Sequence, residues 1–187
     1  MIVKGHDFGN VTVVGAILAD QSLFAEDFKA AERTFDLLTQ AAGRAGRGEC
    51  PGKVIIQTYK PEHYAIVHAA TQDYRAFYDE KIVYRSLGGY PPIVNMLAVL
   101  VTSKNHNLAC STCEAMATYI KESMGEVAVI GPAKAGIGRI SDVYRFVFYI
   151  KCKDKQMLIE CKDRLEAGIN ETGDLQVQFD MNPMNPG

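Results

Sequence analysis

The chain has 187 residues, 48% of them hydrophobic and 22% charged. That is enough apolar content for the core of one domain or two small ones, and too much for a disordered segment. Its 20 Lys and Arg against 22 Asp and Glu leave a net charge of −2, which excludes wholesale coating of a polyanion but allows a local basic site. The start, Met1-Ile-Val-Lys-Gly-His-Asp7, has no apolar signal-peptide core, and no apolar run approaches the ~18 residues of a membrane span, so a cytoplasmic location is expected.

Three blocks emerge in chain order. In the first, 1–60, the continuous apolar run Val11 to Leu18 has the pattern of a strand covered on both faces. A helix is expected from about Asp27, with Phe28, Ala31, Phe35, Leu38 and Ala42 on one face, ending at Gly43 to Gly48. Val54-Ile-Ile-Gln-Thr58 then reads as a second strand, giving a parallel βαβ unit. The second block, 61–92, opens with Pro61 in the first turn of a helix and carries an aromatic series, Tyr64, Tyr74, Phe77, Tyr78 and Tyr84, at helical intervals. Such a stripe is read as packing. Leu87-Gly-Gly-Tyr-Pro-Pro92 ends it and marks a domain boundary.

The third block, 93–187, orders strand (Asn95 to Thr102), helix (Asn107 to Met124), strand (Val127 to Ile130), a glycine-containing loop, strand (Tyr144 to Cys152), helix (Lys155 to Asn170) and strand (Leu175 to Asp180). This βαββαβ order is the split-βαβ, ferredoxin-like arrangement, with two helices on one sheet face. Alternation in Arg145-Phe-Val-Phe-Tyr-Ile-Lys151 and in Leu175-Gln-Val-Gln-Phe-Asp180 implies that the other face is wet. The fold class is therefore α/β followed by α+β. The architecture hosts many functions and settles none.

Five cysteines without regular spacing make a poor disulfide framework. Cys110 and Cys113 lie on one helix face with no second Cys/His pair at zinc spacing, so they are read as buried small hydrophobes and no metal site is expected.

The segment richest in chemistry is Gln40-Ala-Ala-Gly43-Arg44-Ala-Gly46-Arg47. Two arginines three apart at a helix end can bring both guanidiniums to one anion, and the glycines admit close approach. Read as Gly-Arg-Ala-Gly-Arg alone, the string fits equally a solvated helix end whose cations favour the dipole. The full string Gln-x-x-Gly-Arg-x-Gly-Arg, however, resembles the sixth motif of superfamily-2 helicases, and Lys4-Gly5-His-Asp7-Phe-Gly-Asn-Val-Thr12 resembles their fifth. Ala30 to Gln40, Pro51 to Ala65, Asp73-Tyr-Arg-Ala-Phe-Tyr78 and Leu87 to Pro92 narrow the resemblance to the bacterial primosomal replication-restart DNA helicases. It covers essentially the whole chain, most strongly Met1 to Pro92, with one departure at Gly9, where the family usually has proline.

The resemblance implies an ATP-dependent, 3′-to-5′ DNA helicase, with residues 1–60 as the last part of a second RecA-like lobe, 61–92 as a connecting helical segment and 93–187 as a C-terminal domain. It makes Arg47 an arginine finger for the γ-phosphoryl group, Arg44 its support and Gln40 a positioner of nucleotide or water. Gly5, Asp7, Gly43 and Gly46 would couple nucleotide to DNA. ATP and Mg²⁺ would act in the full-length parent only: neither a phosphate-cradling Gly-x-x-x-x-Gly-Lys-[Ser/Thr] loop nor an Asp-Glu-x-His box occurs here, nor does the family's zinc-binding insertion. The chain alone is thus expected to be inactive, to lack its first lobe as a partner, and to expose apolar strand edges through which copies could associate.

Expected partners are forked or single-stranded DNA, single-stranded-DNA-binding protein and other primosome proteins, with no membrane contact. For the C-terminal domain the sequence offers Lys134, Arg139 and Arg145 with Tyr144 beside them; phosphate contacts with base stacking and plain solvated loop charges both fit. Two other classes stay open: another superfamily-2 repair or recombination helicase, and a non-catalytic DNA- or protein-binding module.

Overall fold

The computed structural model describes residues 11–24, 27–46, 51–169 and 173–183. Gly5, Asp7 and Arg47 lie outside the described residues. The chain forms two compact units, 1–84 and 85–187.

The first unit contains strands β1 (Val13–Ala16) and β2 (Lys53–Ile56), paired in parallel from Val13–Lys53 to Ala16–Ile56, with helix α1 (Ala30–Ala42) between them in sequence. This is the βαβ unit that the alternation predicts. The helix starts three residues later than its apolar periodicity suggests, because the Asp27 carboxylate accepts the Lys29 amide and ties off a turn first. The expectation that the first strand is covered on both faces is corrected. Val14, Ala16, Val54 and Ile56 alternate inward, whereas Val13 is 56% exposed and Ile55 50%. A helix on one side of a two-stranded sheet covers one face only.

Helices α2 (Tyr64–Thr71) and α3 (Tyr74–Gly88) follow. Pro61 precedes the helix instead of opening it: His63 is the cap, its Nδ1 accepting the Ala65 amide at 3.2 Å. Gln72 then takes a left-handed conformation, and the Asp73 carboxylate receives the Ala76 amide at 2.9 Å to begin α3. Of the aromatic series, Phe77 is buried and Tyr64 packs against the core, whereas Tyr74, Tyr78 and Tyr84 are exposed. Phe77 stacks on Phe35 of α1 with ring centroids 4.1 Å apart, and Tyr64 stacks on Tyr84 at 5.1 Å. Phe35, Leu38, Ile66, Ala65, Ala69 and Phe77 make the small core of this unit.

The second unit has strands β3 (Asn95–Ser103), β4 (Ala128–Ile140), β5 (Val143–Cys152) and β6 (Leu175–Met181) and helices α4 (His106–Ser123) and α5 (Lys155–Ala167). The sheet runs β4-β5-β3-β6, antiparallel throughout, which is the split-βαβ order. Leu97, Val99 and Val101 of β3 and Phe146, Phe148 and Ile150 of β5 face Ala109, Cys113, Ala117 and Ile120 of α4 and Leu158, Cys161 and Leu165 of α5. Both helices therefore lie on one sheet face. Cys113 and Cys161 are core residues, and burial pushes the Cys113 thiol up to about 12. Among the described residues no group of His, Cys, Asp and Glu is arranged to hold a metal ion.

Two details differ from the sequence reading. The glycine-containing stretch after Ile130 is strand, not loop: β4 continues to Ile140 with irregular register between Ile130 and Ala133 and between Lys134 and Arg139. The far face of β5 is also drier than alternation implies, since Val147, between Leu100 and Ala133 in the ladder, is buried along with Phe146 and Phe148. Edge strand β6 keeps the clean alternation, with Gln176, Gln178 and Asp180 exposed. No described helix is long and apolar enough to cross a membrane.

Candidate nucleic-acid interface

Two places carry candidate residues. The first is the end of α1. Gln40 and Arg44 stand four residues apart on the same side of the helix as it ends, with Gln40 exposed and Arg44 half-buried. Gly43 closes the helix, its amide donating to Thr39 O at 3.0 Å, and Gly46, at φ 75°, donates to Val11 O at 2.9 Å. The positive φ is what demands glycine at position 46. The Gly46–Val11 and Lys53–Thr12 bonds place this turn at the N-terminal ends of β1 and β2. Open α/β sheets hold their own ligands at the opposite, C-terminal ends of the strands. Arg47, the second arginine of the string, lies outside the described residues.

The second place is the β4–β5 hairpin and the start of α4. Ser141 and Asp142, at φ 48° and 66°, form a two-residue turn with both central residues left-handed, the turn whose twist matches the flanking strands. Directly beside it Arg139 pairs with Tyr144 in the ladder and Lys134 with Phe146. Because Phe146 belongs to the core beneath the helices, Lys134, Arg139 and Tyr144 sit on the helix side of the sheet, and Arg145 points to the other side. The structure thus brings three of the four sequence candidates together and sets the fourth apart. Arg145 instead donates to the Ile137 carbonyl at 3.1 Å, bracing the hairpin.

Tyr144 is not a free ring. The Arg139 guanidinium lies 4.9 Å from its centroid, and His106 meets it edge-on at 5.1 Å while also touching Phe146 at 5.4 Å. His106 opens α4, where Asn105 caps the helix by accepting the amides of Asn107 and Leu108. Lys104 is exposed between Asn105 and Ser103, and Ser103 pairs with Tyr144 in the ladder. Lys134 is close enough to Cys110, one turn into α4, for its charge to pull down that thiol's pKa, although burial and Glu114 hold the net shift upward. Arg139 contacts Tyr144, while Lys104 follows Tyr144's ladder partner Ser103 and Lys134 stands opposite Phe146. The acidic neighbours are Glu114, bonded to Cys110, and Asp142, joined to Arg139 at 2.6 Å with both side chains more than half exposed. Sequence reading missed His106, Lys104 and Asp142. Asn-His-Asn at a helix start signals a cap, and nothing in the spacing brings it to a tyrosine two strands away.

Comparison with known proteins fits both places into one family. Residues 86–184 match the family described as the primosomal protein N C-terminal domain. The replication restart protein PriA of Bacillus subtilis is 41% identical over 187 residues, covering 98% of this chain and 23% of that protein. The PriA proteins of a Synechocystis strain and of Borreliella burgdorferi are 38% and 31% identical, over 81% and 99% of this chain and 18% and 28% of theirs. The chain spans less than a third of the length of these relatives, in their C-terminal portion. It belongs to the PriA family of replication restart proteins.

Proposed function

We propose that this chain is the C-terminal portion of an ATP-dependent 3′-to-5′ DNA helicase that restarts replication at stalled forks in the cytoplasm, alongside single-stranded-DNA-binding protein and other primosome proteins. The reading is carried by the string Gln40-x-x-Gly43-Arg44-x-Gly46-Arg47, in a chain that matches a replication restart protein over 98% of its length. The parallel β1–α1–β2 unit is compatible with the last part of a RecA-like lobe. In it Arg44 and Arg47 supply positive charge to a γ-phosphoryl group held by the first lobe, Gln40 positions nucleotide or water, and Gly43 and Gly46 let the backbone come close. Gly5 and Asp7 link that site to DNA. An arginine finger contributes about 10³–10⁵ in rate in well-studied phosphoryl-transfer systems.

These residues do not build a nucleotide site by themselves, because the sequence has no phosphate loop and no Asp-Glu-x-His box. ATP and Mg²⁺ belong to the assembly with the first lobe, and this chain alone turns over no ATP. The test adds a first-lobe fragment to this chain and measures DNA-stimulated hydrolysis with Arg47→Ala and Arg44→Ala controls. Restored, arginine-dependent turnover is expected. Robust Arg47-dependent hydrolysis by this chain without the first lobe would refute the assignment. The C-terminal unit binds DNA through the Lys134, Arg139 and Tyr144 side of the β4–β5 hairpin, with Arg145 supporting the hairpin. Charge reversal at Lys134 and Arg139 is expected to weaken fork binding at low salt.

A further inference from the structure

Resting on the DNA-binding reading above, we infer that the hairpin patch holds the phosphodiester backbone and does not stack bases, and that Lys104 and His106 at the start of α4 belong to it. An aromatic ring that stacks nucleobases must offer an open face and a desolvated edge around it. Tyr144 offers neither freely: Arg139 lies over its face at 4.9 Å, His106 abuts it at 5.1 Å, and the ring is half-buried. What the ring does is hold its neighbours. It holds the Arg139 guanidinium against its face, and a guanidinium can meet phosphate oxygens bidentately. It also seats His106 at the rim, with Nδ1 within 3.2 Å of Asn107 Oδ1.

Three cations come to this end of the sheet from three separate segments: Lys104 directly after Ser103, the ladder partner of Tyr144, Lys134 opposite Phe146, and Arg139 on the Tyr144 ring. Elsewhere in the unit Lys162 and Arg164 are matched to Glu166 and Glu160 at helical spacing, each at 2.6 Å. At the patch the opposing charges are Glu114, which bonds the Cys110 thiol near Lys134, and Asp142, in an exposed ion pair of the kind that contributes little and yields readily to a stronger anion. A sugar–phosphate backbone supplies such an anion at regular intervals.

The test is equilibrium binding of this chain to a fluorescent single strand and to the same backbone with abasic sites throughout, from 50 to 200 mM salt. Both strands are expected to bind within about twofold of each other. Lys104→Ala, Lys134→Ala and Arg139→Ala together should make the log–log salt slope shallower by about 2, since each single-strand phosphate contact contributes about 0.7. Asp142→Asn keeps a residue tolerant of the left-handed turn and removes one competing charge, so it should tighten binding about two- to fivefold. Binding to the abasic backbone more than tenfold weaker, or a salt slope unchanged in the triple variant, overturns the inference while leaving DNA binding intact. Failure of the unaltered chain to bind either strand overturns the DNA-binding reading and the inference with it.

Discussion

Replacing Phe35 by Ala should loosen the helix that carries Gln40 and Arg44. Phe35 is 3% exposed and stacks on Phe77 at 4.1 Å with the rings 11° from parallel. Its other aromatic neighbour is Tyr74 at 6.1 Å. A phenylalanine buries at least about 150 Å² of apolar surface, and truncation to Ala leaves a cavity as well, so the cost is about 3–5 kcal/mol. Apart from Phe77, the rest of this core is Leu38, Ile66 and three alanines, which cannot collapse far to fill the space. A domain has only about 5–15 kcal/mol to lose, and a core this small places it toward the low end. Amide hydrogen exchange read by segment is the assay. At 3 kcal/mol the opening constant of α1 rises about 150-fold, from RT ≈ 0.59 kcal/mol, and protection there falls by the same factor. Protection of α1 reduced less than tenfold would mean that the aromatic stack does not hold the helix.

Asn105→Ala removes the cap that accepts two amides of α4, and the expected cost of about 1 kcal/mol should lower the Tm of the C-terminal unit by about 4–8 °C in calorimetry. His63 caps α2 as a neutral acceptor, and burial, with Lys60 nearby, pulls its pKa below the usual histidine value. The unfolded chain therefore takes up the proton first. Stability is full above about pH 6.5 and is lost as the pH falls from there toward the lowered folded pKa. Urea midpoints at pH 7.5 and 5.5 should differ in the native chain, and His63→Asn, which caps without titrating, should shrink the difference. Finally, burial raises the thiols of Cys113, to about 12, and of Cys161. Both should resist iodoacetamide at pH 8 until the chain is denatured, as mass spectrometry of labelled peptides will show.

Much of the C-terminal unit was legible in its sequence because helix and strand periods are unambiguous there: a nine-residue apolar strand, an 18-residue helix capped by Asn and an alternating last strand each have one reading. What misled was β4, where Gly131, Pro132, Gly136 and Gly138 signal a loop in any composition-based reading. An edge strand tolerates those residues because only one of its sides must pair. The break between α2 and α3 was illegible for the opposite reason, since Gln72 is neither Gly nor Asn and still adopts the left-handed conformation. At the hairpin, cation and aromatic types were readable from local sequence, but their faces were not. Only the register, with Arg139 opposite Tyr144, separates Arg145 from the other three. His106 reaches the same ring through a tertiary contact that no local pattern encodes.

The irregular register of β4 also bears on how the unit behaves in crowded solution. A 13-residue strand at the rim of a sheet would ordinarily invite strands from other molecules to add on, the first step toward fibrous aggregates. Recruiting such a strand requires a long run of evenly spaced donors and acceptors. Here the even run from Ala128 ends at Ile130, the register shifts before Ala133, and it shifts again between Lys134 and Arg139. The glycines and proline that disguise this strand in the sequence thus interrupt the even run an added strand would need, and straightening it by substitution is expected to raise the tendency of the domain to polymerise.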